Sequence, residues 1–180
     1  EERFQDLIDS LPQVVFETDR EGRLTFGNEG GLKMFGRTRE EMDKGLYVLT
    51  MIAPEDVDRA RQNIGNVLAG RSFEGHEYMA LKKDGSRFPI TIYSTGIYDE
   101  NQSPLGMRGI IVDDSEQKYL QKRQRLTLDV LETLNSNLDS QEMISRIIQL
   151  IRRFTGVEAI GIRLRQGDDY PFYEEEGFPE

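Results

Sequence analysis

The stretch from residue 109 to residue 138 constrains the chain most. It opens with Gly109-Ile110-Ile111-Val112, an apolar β-branched run that reads as a buried strand. It crosses Asp113-Asp114-Ser115-Glu116 and continues as a polar segment punctuated by leucines. Leu120, Leu131, Leu134 and Leu138 fall at heptad-compatible spacings, with Gln124 and Thr127 at the intervening seam positions. A strand that runs directly into a helix is a mechanical joint, because a change in the domain before it can tilt or rotate the helix after it. The spacing predicts a helix over 116–138 with a narrow leucine stripe and Gln121, Lys122, Arg123 and Glu132 elsewhere. One helix cannot bury such a stripe by itself. The expectation is a parallel homodimer, or packing of part of the stripe on a helix beginning near Ser140.

Composition narrows the classes. The 180 residues suffice for one full domain and part of another. Hydrophobic content of 37% and charged content of 31% suit a soluble globular protein with exposed helices. A net charge of −10 argues against a nucleic-acid backbone as partner. No apolar run approaches the roughly 20 residues that span a membrane, and no signal-peptide pattern is present. The opening Glu1-Glu2-Arg3 suggests a piece of a longer protein, and cytoplasmic placement is the default expectation. Cysteine is absent, which removes disulfides, thiolate nucleophiles, thiol–flavin adducts and Cys-ligated metals together.

Phe4, Leu7, Ile8 and Leu11 predict a short amphipathic helix over 2–11, stopped by Pro12. A strand over 13–18, a turn at Asp19-Arg20-Glu21-Gly22 and a returning strand over 23–28 follow. Leu32, Met34 and Phe35 lie on a short helix that Gly36 closes, and Thr38-Arg39-Glu40-Glu41 has a capping-box pattern. A longer helix is expected from Met51-Ile52-Ala53-Pro54-Glu55-Asp56 onward, with an apolar stripe of Val57, Ala60, Ile64, Val67 and Leu68 and an end at Gly70. Three strands complete the pattern, over 72–82, 87–97 and 105–112, with a tight turn at Lys83-Asp84-Gly85-Ser86. The order predicts an α+β fold whose antiparallel sheet has about five strands.

Residues 3–118 resemble a PAS domain nearly end to end. The motifs are Leu11-Pro12 with Phe16 and Asp19, Gly22-Arg23-Leu24, and Asn28 before the short helix. Phe35-Gly36-Arg37-Thr38-Arg39-Glu40-Glu41 resembles the family's Phe-Gly-Tyr-Ser-Arg-Glu-Glu signature. Pro54-Glu55-Asp56, Lys83-Asp84-Gly85-Ser86 and Asp113-Asp114-Ser115-Glu116 match further family motifs in order. There are two departures from the pattern. Asp114 replaces an apolar residue, and Gly30-Gly31 replace small non-glycine residues and are expected to loosen the helix after Asn28.

After the joint, Asn135-Ser136-Asn137 interrupts the helical pattern and Asp139 with Glu142 reads as a fresh N-cap. Ile144, Ile147, Ile148, Ile151 and Phe154 form an apolar face closed by Gly156. Strands are expected over 157–165 and 170–175, around a turn at 166–169. Residues 127–180 resemble the opening of a GAF domain, without any GAF ligand motif. The expected organisation is a PAS domain over 1–114, a signalling helix over 115–138 and the N-terminal part of a GAF-like domain over 139–180.

The resemblance implies where chemistry would sit. PAS folds are often hollow between sheet and helices. Phe16, Phe26, Phe35, Ile52, Phe88, Ile90, Ile92, Met107 and Ile111 are therefore both core candidates and pocket candidates. Asn28 reads as a helix cap or as a hydrogen-bonding group at the pocket mouth. Asp113, Ser115 and Glu116 read as the coupling element, since in the family this pair of acid and hydroxyl bonds back to the sheet. His76, the single histidine, falls in a strand and reads as structural, and the helix over 55–69, where haem-binding relatives carry their axial ligand, has no histidine. Neither haem nor a covalent flavin adduct is expected, and no metal site. The acidic pairs Asp113-Asp114 and Asp168-Asp169 and the run Glu174-Glu175-Glu176 sit at turns and ends, as a solvated face would. The reading is a non-enzymatic sensory PAS module of a two-component protein such as a sensor histidine kinase, taking a small ligand or serving as a ligand-free dimerisation module.

Overall fold

The computed structural model describes residues 8–9, 11, 13–71, 75–163, 165, 167–169 and 171–178. Most of the expected helix over 2–11, and the first residues of the strand expected over 72–82, fall outside these. The chain divides into two units, Glu1–Ser115 and Glu116–Glu180.

In the first unit, β1 (Val14–Asp19), β2 (Leu24–Gly27), β3 (His76–Leu81), β4 (Arg87–Tyr98) and β5 (Pro104–Asp113) form one sheet. Its order is β2-β1-β5-β4-β3 and every pairing is antiparallel. The strand that leads into the joint is therefore central. Ile111 faces Val14 of β1 on one side and Ile92 of β4 on the other. One face of the sheet is covered by α1 (Glu29–Phe35), α2 (Arg39–Asp43), the 3₁₀ turns Val48–Met51 and Pro54–Asp56, and α3 (Val57–Leu68). Alternation along the strands sends Val14, Phe16, Tyr78, Ala80, Phe88, Ile90, Met107 and Ile111 to that face, where they meet Leu32, Phe35, Leu49, Met51, Ala60 and Val67. The result is the expected α+β architecture.

Local chemistry explains the boundaries. Gly36 adopts φ 65° and ends α1 with its N–H on Leu32 and Lys33 carbonyls, as a left-handed cap does. Thr38 and Glu41 complete a reciprocal capping box at α2. The expected long helix begins later than Met51. Ile52 instead bridges to Ala80 of β3, and the helix starts only after the Pro54 turn, because Pro54 forces an extended residue before it. Gly31 has a packing role besides the loosening expected of the Gly30-Gly31 pair. A Cβ on Gly31 would lie 2.8 Å from Val14 Cγ1, so glycine there permits α1 to sit directly on β1.

The second unit holds α4 (Ser115–Leu134, whose first residue belongs to the first unit), α5 (Ser140–Thr155), and the antiparallel pair β6 (Ile160–Arg163) and β7 (Phe172–Glu176). Asp139 caps α5 by accepting from the N–H groups of Gln141 and Glu142, and Gly156 closes it at φ 72°. The helix expected over 116–138 ends at Leu134. Ser136 Oγ donates to the Thr133 carbonyl at 2.6 Å, a local bond that competes with helix continuation, and Leu138 lies beyond the end. Within this unit Tyr119 and Phe154 approach ring to ring at 6.1 Å, and Arg152 pairs with Glu176 at 2.7 Å.

Candidate functional site

A cavity of about 80 Å³ lies between the inner face of the sheet and the helices of the first unit. A water needs about 10–15 Å³ of such space, so this one has room for a few waters or one small organic molecule. It is well below the roughly 300–1,000 Å³ of pockets that hold drug-sized ligands. The lining is almost wholly apolar. Val14 and Phe16 enter from β1, Leu32 and Phe35 from α1, Leu49 and Met51 from the first 3₁₀ turn, Ile52 from the residue after it, and Ile90, Met107 and Ile111 from β4 and β5. Arg37, Asn63, His76 and Ser94 are the polar exceptions, with the Tyr78 hydroxyl.

Seven of the residues singled out from the sequence line this cavity: Phe16, Phe35, Ile52, Ile90, Ile92, Met107 and Ile111. Phe88 is buried but sits behind the lining, its ring 5.4 Å from Phe35 and under the Lys82 ammonium at 5.0 Å. Phe26 faces the other side of the sheet, where it borders a groove with Val15, Glu17, Tyr93 and Ile110. The reason is a register shift opposite Glu17/Thr18, which lets Leu24 and Gly27 take the inner face of β2.

Asn28 is wholly buried and outside the cavity lining. Its Oδ1 accepts from Val15 N and Gly31 N, both at 3.1 Å, and its Nδ2 donates to the carbonyls of Gln13 at 2.9 Å and Ile8 at 3.2 Å. All four hydrogen-bonding positions of the amide are filled by backbone. The side chain therefore caps α1 and fastens it to β1 in one step.

Sequence reasoning missed Arg37, Asn63 and Tyr78. For Arg37 the signal was visible, since it stands where the family signature has an aromatic residue. Its Nε is buried with no acceptor among the described residues, a situation that costs about 1–3 kcal/mol for an ordinary donor. Arg37 Nη1 reaches Glu41 Oε1 only at 3.4 Å. Glu41 has closer partners in Lys83 Nζ at 3.1 Å and Thr38 N at 3.0 Å, and these, Lys83 foremost, hold its carboxyl below the usual carboxylate range. Asn63 Nδ2 donates to the Tyr78 hydroxyl at 2.6 Å. Burial is the main cause that pushes the Tyr78 phenol up, and Arg59 lies over its ring at 4.6 Å. His76, on β3, lines the cavity with its ring 6.3 Å from that of Tyr78.

At the joint, Asp113 Oδ1 accepts from Ser115 N at 2.8 Å and so starts α4. The bond back to the sheet is made by its neighbour. Asp114 is buried, its Oδ2 accepts from Thr91 Oγ1 of β4 at 2.7 Å, and its N–H donates to the Pro89 carbonyl at 3.0 Å. The acid that departs from the family pattern is thus the one tied to the sheet, and Glu116 is exposed. On α4, Leu120, Leu131 and Leu134 are each about half exposed (52%, 49% and 51%). Among the described residues no three His, Cys, Asp or Glu side chains gather as a metal-ligand set, and no helix is long and apolar enough to cross a membrane.

Comparison with known proteins agrees with this geometry. Residues 24–111 match the family model described as PAS fold. The PAS domain of a Colwellia psychrerythraea protein superposes with a TM-score of 0.58 at 23% identity, covering 64% of this chain and 97% of that one. A sensory box histidine kinase/response regulator structure from Burkholderia thailandensis gives 0.55 at 19% identity, covering 72% and 98%. The LOV protein of Rhodobacter sphaeroides gives 0.54 at 12% identity, covering 86% and 92%. No curated protein matches the sequence at a significant level. Sheet order, helical cover and family-model match coincide, and the first unit of this chain has the PAS fold.

Proposed function

We propose that the chain is the sensory part of a multidomain signalling protein, such as a sensor histidine kinase, and has no catalytic role of its own. In this reading a small molecule enters the cavity of the PAS domain and alters the sheet. The change leaves through Asp113, Asp114 and Ser115 into α4, which pairs with its copy in a homodimer through Leu120, Leu131 and Leu134. Residues 139–180 are then the opening of a GAF-like domain. One observation carries the reading. Met107 and Ile111 line the cavity, and the same central strand ends at Asp113, so the cavity wall and the joint are one piece of backbone. The likeness to the sensory box histidine kinase/response regulator of Burkholderia thailandensis supports the signalling context.

The small volume of the cavity favours a second reading, a ligand-free dimerisation module with a nearly filled core. Hydrogen exchange separates the two. Xenon under pressure, a probe for apolar cavities, is expected to shift the methyl resonances of Ile90, Met107 and Ile111 and to change amide exchange over residues 113–120. Shifted methyls with unchanged exchange at 113–120 would remove the signalling role of the cavity and leave the ligand-free module.

A further inference from the structure

The cavity wall holds a guanidinium that the described residues leave incompletely bonded. Arg37 lines the cavity, and Arg37 Nε is buried with no acceptor among the described residues. A guanidinium has five N–H donors in a planar fork and is charged at every accessible pH. The carboxylate that pairs with it among the described residues, Glu41, stands 3.4 Å from Nη1 and is already held by Lys83 Nζ at 3.1 Å and Thr38 N at 3.0 Å. Lys83 can therefore keep Glu41 neutralised while Arg37 turns its fork to another anion. Asn63 and Tyr78, also in the lining, are already bonded to each other at 2.6 Å. Apart from these, His76 and Ser94, the wall is hydrocarbon, including Leu32, Phe35, Met51 and Ile90.

We infer that the ligand of this cavity is a short-chain monocarboxylate, its carboxylate on Arg37 Nε and its hydrocarbon tail against the apolar wall. The inference rests on the reading of the cavity as a ligand site and adds the chemistry of the ligand. A guanidinium and a carboxylate match in charge and in fork geometry, and the pairing is stronger where water is excluded. The lining has no second Arg or Lys to meet another carboxylate, which restricts the class to monoacids. The volume of about 80 Å³ restricts it to few carbons.

The test compares propionate with its neutral isostere propionamide on the 180-residue chain, at constant ionic strength, reading the methyl resonances of Leu32, Met51 and Ile90. Propionate is expected to bind at least tenfold more tightly than propionamide. Arg37→Met is expected to abolish that preference while its amide spectrum stays that of the folded protein, and Arg37→Lys to keep the order of affinities. Equal affinity of the two probes for the unaltered protein, which needs no variant to fold, would overturn the inference, as would a preference that survives Arg37→Met. Xenon separates this failure from that of the underlying reading. If xenon shifts the cavity methyls and propionate does not, the cavity stands and the carboxylate assignment falls. If neither does, both fall.

Discussion

Ile90 and Ile148 are each 1% exposed, but their surroundings differ in kind. Ile90 sits on β4 in a core whose neighbours on β1, β3, β5 and the covering helices are themselves buried. Ile148 is the one buried apolar residue of the second unit among the described residues, and around it Ile144, Ile147 and Ile151 remain partly exposed. Both α3 and α5 carry a clear apolar stripe in sequence. The difference shows that periodicity states which face seeks cover, and the layers packed on that face decide how much it receives. The comparison predicts unequal costs. Ile90→Ala should lower the stability of the first unit by about 3–5 kcal/mol, because a rigid sheet and three helices cannot collapse into the space. Ile148→Ala should cost the second unit about 2–3 kcal/mol, since its looser surroundings relax or admit water. Native-state hydrogen exchange resolves the two units separately, and equal costs would break the comparison.

The helix caps repeat the contrast at smaller scale. Asn28 and Asp139 are both N-caps read from sequence, and both accept from the first-turn amides of their helices. Asp139 does only that, at an exposed position. Asn28 also donates to the carbonyls of Ile8 and Gln13 while fully buried. Asn28→Ala should therefore cost about 2–4 kcal/mol, several buried bonds lost together, against about 1 kcal/mol for Asp139→Ala. Asn28→Asp sharpens the point. The carboxylate keeps the cap but loses both donors, so the loss should stay near that of Asn28→Ala, as urea titration followed on each unit's amides would show.

Much of this architecture was legible because it rests on short-range chemistry. The turn at Asp19–Gly22, the capping box at Thr38 and Glu41, the αL closures at Gly36 and Gly156 and the cap at Asp139 all follow from residues within four positions of one another. The alternation of Phe88 and Ile90 gave the inner face of β4 correctly. What sequence could not supply was anything decided by register or by partners far along the chain. The shift beside Glu17/Thr18 turned Phe26 to the other face. The four partners of Asn28 range from Ile8 to Gly31. The partner of Asp114, Thr91, is 23 positions away. Arg37 was quoted as a motif residue, but only the fold shows that its Nε lacks an acceptor.

The exposed leucines of α4 give a third way to probe the contrast between a closed unit and an open one. With Leu120, Leu131 and Leu134 each about half exposed and Leu138 beyond the helix, the stripe available for pairing is short. Reversible dimers of micromolar affinity are expected in sedimentation, with Leu131→Glu plus Leu134→Glu weakening association at least tenfold, about 1.4 kcal/mol, and leaving the first unit's melting unchanged. A monomer at every concentration would show that the stripe alone does not drive pairing.

The smallest effect concerns acid. Asp56, at the start of α3, accepts from Met79 N at 2.7 Å and from Arg59 Nη2 at 2.6 Å, and so ties α3 to β3 in the first unit. Burial pushes its carboxyl up, but Arg59 and the Met79 amide together outweigh burial and hold it below the usual carboxylate range. A carboxyl depressed in the folded state contributes fully above its unfolded value, near pH 4, and the contribution fades as pH falls through the lower folded value. Arg59 is half exposed, so solvent screening keeps the gain at about 1 kcal/mol or less. Asp56→Asn preserves the shape and an acceptor for Met79 N but removes the charge facing Arg59. The stability gap between the original protein and Asp56→Asn should therefore be present at pH 7, close steadily below about pH 4 and appear in the first unit alone. A gap that stays constant from pH 7 to pH 3 would mean that the Asp56 side chain acts through its shape and its bond to β3, with no net contribution from its charge.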